Sequence, residues 1–165
     1  MMTSEPKRKE LHEAGHLVVA QFTNRLGLPD FQNKPKYVTR EGQQRIFDEV
    51  CYWIAGGVAE RVFCNFRGLP VDTTRQDLDT LYEIAKAHWG FRFEPGRDGV
   101  PKCLVLERLI KSTSDFVEAL LRTKPMIFKV RNVATLLYKT GMEPDIKNEK
   151  LQRVINLKYN GKYGY

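Results

Sequence analysis

The stretch 44–64 is the feature that most constrains the fold. Ile46, Phe47, Val50, Trp53, Ile54, Val58, Val62 and Phe63 put apolar side chains on nearly every side of one helix. Such a helix has to be enclosed by others, so a mainly α chain with this helix at its centre is expected. Gly56 and Gly57 lie inside it, and each weakens a helix by about 1 kcal/mol relative to alanine. Their presence predicts the close approach of another backbone.

The other elements follow from spacing and punctuation. Leu11, Gly15, Val18 and Phe22 keep helical spacing, with Ser4 as N-cap and Pro6 in the first turn, and predict a helix to about residue 25. Segment 27–42 is polar and broken by Pro29, Pro35 and Gly42; within it Tyr37, Val38 and Thr39 form a candidate short strand between the first two helices. Thr73 or Thr74 caps a third helix to about Trp89, with Leu78, Leu81 and Ala85 on its core side. Glycines and prolines make 90–101 a loop, and further helices are predicted over 103–122, 125–140 and 146–157. Residues 158–165 read as a frayed tail.

With 165 residues, 42% of them hydrophobic and 28% charged, the chain reads as one globular domain. No run approaches eighteen consecutive apolar residues, and the N-terminus MMTSEPKRKE lacks the apolar segment of a signal peptide, so no membrane anchor is expected. Cys51, Cys64 and Cys103 are odd in number and form no CxxC pair; they read as reduced thiols of a cytoplasmic protein. The net charge of +7 collects at Lys7–Lys9 and in Lys147, Lys150, Arg153, Lys158 and Lys162. No RNP, KH or zinc-knuckle pattern accompanies it, so a solvated surface is favoured over a nucleic-acid site.

Chemistry concentrates in LHEAGHLVVA, residues 11–20, where two of only three histidines stand four apart with a glutamate between them. Residues at i and i+4 share a helix face. His12 and His16 can therefore point two imidazoles at one Zn²⁺, with Glu13 beside them to take a proton from an activated water. A catalytic zinc needs a third protein ligand. Val19 and Phe22 stand where the longer HExxHxxGxxH pattern requires glycine and histidine. His88 has no acidic neighbour and reads as a packed or surface residue. Asp77 shares a stripe with Leu81 and Ile84 and reaches inward, although it also suits a capping role after Thr74. Glu60 competes, since other zincins use a glutamate.

HEAGHLVVA is similar to the HEAGHA signature of peptidase family M41, the FtsH-type ATP-dependent zinc metalloproteases. WIAGGVAERVFCN, residues 53–65, resembles the family's LLGGRAAEELVFG helix. TTRQDLDTLYEIAKAHWGF, residues 73–91, resembles its TTGASNDLERATEIAR segment. VATLLYKTGMEPDIKNEKLQRVI is similar to its C-terminal helical phrase. The four segments keep the family's order and cover nearly the whole chain. The resemblance implies a helical zinc-peptidase domain with His12, His16 and Asp77 as ligands and Glu13 as general base. It also implies a substrate strand docking beside Tyr37–Thr39. Residues 1–94 would then be a zinc-binding half and 102–157 a C-terminal helical half.

Two departures bear on this. TTRQDL is two residues shorter than the family's phrase and has Gln76 in place of asparagine, and no AAA+ ATPase module lies within these residues. The expected substrates are therefore peptides or unfolded protein, with a separate ATPase or a homo-oligomer as partner. Two rivals stand beside this expectation. One is a catalytically inactive M41-like adaptor. The other is a basic helical domain that binds nucleic acid through its ends and Tyr159, Tyr163 and Tyr165.

Overall fold

The computed structural model describes residues 8–23, 40–64 and 72–157. Among them are helices α1 (Arg8–Phe22), α2 (Arg40–Cys64), α3 (Asp72–His88), α4 (Leu104–Leu121), α5 (Lys124–Thr140) and α6 (Glu149–Ile155). Strands β1 (Glu94–Pro95) and β2 (Pro101–Lys102) form one antiparallel pair between α3 and α4. The fold is mainly α, as the apolar pattern of the second helix requires.

The long α2 is the axis. It packs on α1, α3 and α4, while α1 also packs on α5 and α6 closes over α5. Ile46, Val50, Ile54, Ala55, Val58 and Ala59 of α2 are buried with Ala14, Val18 and Val19 of α1. Each fully buried valine, leucine or isoleucine in this core contributes about 1.5–3 kcal/mol. No helix among the described residues is long and apolar enough to cross a membrane.

The glycines act differently from expectation. A Cβ on Gly15 would lie 2.6 Å from Ala59 Cβ and 2.8 Å from the Ala55 carbonyl oxygen. The intimate backbone approach is therefore made by the α1 glycine against the alanines of α2. Gly56 and Gly57 make room for side chains instead. A Cβ on Gly56 would lie 2.5 Å from His12 Cε1, and one on Gly57 would lie 3.0 Å from Thr74 Cγ2.

Other boundaries move for physical reasons. Helix α2 begins four residues before the predicted start and takes in Gly42, which is buried. Helix α3 begins at Asp72, so Thr73 and Thr74 lie inside it and do not cap it. The segment 90–101, read as a loop from its glycines and prolines, contains the β pair: Glu94 pairs with Lys102 and Pro95 with Pro101. Prolines are tolerated on such short edge strands. The turn closes with Gly96 N–H donating to the Val100 carbonyl at 2.9 Å and Gly99 at φ +76°. Helix α6 is capped by Asn148, whose side chain accepts the Lys150 and Leu151 N–H groups, leaving Ile146 buried in the preceding turn. Ser4, Pro6, the candidate strand Tyr37–Thr39 and the tail 158–165 lie outside the described residues.

Candidate metal centre

Helix α1 runs beside α2 so that His12 faces Gly56 and His16 faces Tyr52. The first turns of α3 bring Asp77 against both. His12 Nε2 and His16 Nε2 are 3.1 Å apart, and each lies 2.9 Å from Asp77 Oδ2. Three atoms bound tetrahedrally to one Zn²⁺ at 2.0–2.1 Å would stand about 3.3 Å from each other. The side chains need to spread by only a few tenths of an ångström to hold such an ion. Among the described residues, this trio is the group whose ligand atoms converge.

The far side of each imidazole fixes which nitrogen faces inward. His16 Nδ1 lies 2.6 Å from the Tyr52 carbonyl oxygen, which can only accept, so Nδ1 carries the proton. His12 Nδ1 lies 3.2 Å from Glu60 Oε2, and an ionised carboxylate likewise only accepts. In the neutral imidazoles both Nε2 atoms therefore present lone pairs toward each other and toward the Asp77 carboxylate. Three acceptors converging on one point call for a cation between them, a proton or a metal. Outer-shell hydrogen bonds of this kind orient metal-binding histidines in general.

The titration behaviour follows from the same geometry. Burial pulls the His12 pKa down, but hydrogen bonds and charge attraction from Asp77 and Glu60 outweigh it, and the net value is raised. Burial pushes Asp77 up, but its hydrogen bonds to His12 and His16 outweigh that, and its carboxyl ends below its ordinary range.

Glu60, one of the two candidate third ligands, takes a different place. It is 3% exposed and grips His12 from behind at Nδ1, away from the converging Nε2 atoms. It also accepts from Thr74 Oγ1 at 2.8 Å and from Arg8 Nε at 2.5 Å. Asp77 is the carboxylate on the open side. Its alternative capping role does not apply, because the Thr74 hydroxyl is turned to Glu60. Glu13 is half-buried on the same helix, and among the described residues no hydrogen bond or ion pair engages its carboxylate. His88 follows Asp77 by eleven residues on the continuous α3, about 16 Å away along the axis, and cannot share its ion.

Three participants were not singled out as such from the sequence: Arg8, Thr74 as a carboxylate clamp, and the Tyr52 carbonyl. Gly56 gave an indirect signal, since a glycine inside a buried helix marks a place where something else must fit. A backbone carbonyl carries no residue-type signal at all. Comparison with protein-family models, with curated proteins and with solved structures finds no match to this chain.

Proposed function

We propose that the protein is a zinc-dependent metallopeptidase that cleaves peptides or unfolded protein. The single observation that carries this is the convergence of His12 Nε2, His16 Nε2 and Asp77 Oδ2, with both Nδ1 atoms already committed to acceptors. The HExxH spacing and the four ordered segments resembling peptidase family M41 support the same reading.

His12, His16 and Asp77 would hold the ion. Zinc bound there supplies Lewis acidity, polarising the scissile carbonyl and making water a nucleophile near neutral pH. Glu13 takes the proton from the attacking water on its carboxylate and hands it to the departing amine nitrogen. Glu60 and the Tyr52 carbonyl keep the imidazoles in the tautomer that leaves Nε2 free. The intact HExxH favours an active enzyme over an adaptor, since an adaptor has no need of Glu13 between the two histidines.

Cys51, Cys64 and Cys103 are free thiols, which suits a reducing compartment such as the cytoplasm. An unfolded substrate would come from a separate ATPase or arrive as a peptide. The test is turnover of a fluorogenic peptide set and of casein, with and without a chelator. Zinc-restorable cleavage supports the proposal, and cleavage indifferent to chelation overturns it.

A further inference from the structure

A cavity of about 320 Å³ lies between α1, α2 and the turn that joins α5 to α6. Leu17 and Ala20 of α1 form one wall, and they share a helix face with Glu13 at spacings of i+4 and i+7. Tyr52 forms another wall, and its ring lies 5.1 Å, centroid to centroid, from that of His16. The cavity therefore opens along the Glu13 face of α1, and its Tyr52 wall also packs against the His16 ring. The turn between α5 and α6 closes it with Ile146, which is buried, and with the exposed side chains of Glu143 and Asp145.

The lining is amphipathic in a particular way. The inner walls are apolar, and the mouth carries two carboxylates. The Asp145 carboxylate is held in place by the Lys147 N–H, which donates to Oδ1 at 2.9 Å. The chain as a whole carries a net charge of +7, so this acidic mouth runs against the general charge of the protein. Lysine and arginine have the matching shape: an apolar stem to lie along Leu17, Ala20 and Tyr52, and a cationic head to remain at a polar rim.

We infer that this cavity receives a lysine or arginine side chain of the substrate adjacent to the scissile bond, with Glu143 and Asp145 as the specificity-determining groups. The inference rests on the metallopeptidase proposal and names a substrate class for it.

The test uses the zinc-loaded full chain and a pentapeptide series carrying Lys, Arg, Leu or Glu in turn at each position flanking the cleaved bond. Cleavage rates are measured with the native protein. Equilibrium binding of the same labelled peptides is measured with Glu13→Gln. The expected result is a preference for Lys and Arg over Leu of about three- to tenfold at one position, the size two partly solvated charge pairs support. In Glu143→Gln/Asp145→Asn the ratio should fall toward one through a higher KM for the Lys peptide, with zinc content unchanged. Peptides cleaved or bound without a Lys/Arg preference overturn this inference and leave the peptidase proposal standing. So does a preference that the double variant retains. A protein that takes up no zinc and neither binds nor cuts any peptide overturns both.

Discussion

Gly56 leaves the space that His12 occupies: a Cβ there would fall 2.5 Å from the imidazole Cε1 and 2.6 Å from Cδ2. His12 cannot yield easily, because it is 2% exposed and pinned by Glu60 and Asp77. Gly56→Ala is therefore expected to turn the imidazole out of the site. The helix itself gains about 1 kcal/mol of propensity from the same change. Zinc affinity should fall by tenfold or more while helix content is kept, as isothermal titration and circular dichroism would report. Unchanged affinity would mean that the imidazole has room elsewhere.

Gly15→Ala should fail in the opposite way. Its Cβ meets the Ala55 carbonyl oxygen and Ala59 Cβ, both on the facing helix. Relief requires moving α1 from α2, at a cost of about 1–3 kcal/mol. A denaturant titration should locate the loss in the midpoint. A midpoint within error of the native protein's would count against so close a helix pair.

Glu13→Gln keeps the shape of the side chain and removes its basicity. Peptide turnover should drop by about 10²–10⁴-fold, the range of a general base, with zinc content intact. A variant that still turned over peptide at the native rate would exclude Glu13 as the base.

Glu60→Gln should loosen the ion without removing a ligand. Outer-shell changes of this type cost about 10–100-fold in metal affinity. Thr74→Val, which removes the 2.8 Å hydrogen bond to Glu60, should have a smaller effect in the same direction. Competition with a chromophoric chelator measures both. If Glu60→Gln abolished binding altogether, Glu60 would have to be a ligand in its own right.

The pH dependence has a definite sign. In the metal-free protein, His12 is raised above its ordinary 6.5, so its contribution to stability is fully present below 6.5 and lost as pH rises through the raised value. Asp77 is lowered below its ordinary 3.8, so its contribution is present above 3.8 and lost as pH falls through the lowered value. Both act together between 3.8 and 6.5. Zinc reverses the upper limb, because its ligands bind it unprotonated. The gain in Tm on adding zinc should widen from about pH 5 to about pH 8, across the histidine range. A gain independent of pH would argue against histidine ligation.

Much of this was legible in the sequence, for reasons that differ from residue to residue. The His12–His16 pair is local, and a four-residue spacing on a helix fixes its geometry before any tertiary contact forms. Asp77 could be placed on the inward stripe of its helix, but the choice between it and Glu60 depended on how three helices pack. In the folded chain Glu60 lies behind His12 at Nδ1, whereas Asp77 faces both Nε2 atoms. The glycines of α2 were read as points where another backbone comes close, but what approaches them is an imidazole and a threonine methyl, while Gly15 makes the backbone contact. The β1–β2 pair escaped because its residues, Glu94, Pro95, Pro101 and Lys102, are poor strand formers, and its pairing comes from a turn rather than from strand propensity.

The central claim is that His12, His16 and Asp77 form one metal site. The most direct measurement is zinc per chain, determined by elemental analysis after dialysis, for the native protein, His16→Ala and Asp77→Ala. One equivalent in the native protein, lost in both variants while the fold is retained, is the predicted result. A native protein that retains no zinc, or an Asp77→Ala variant that holds a full equivalent as tightly as the native chain, would contradict the account.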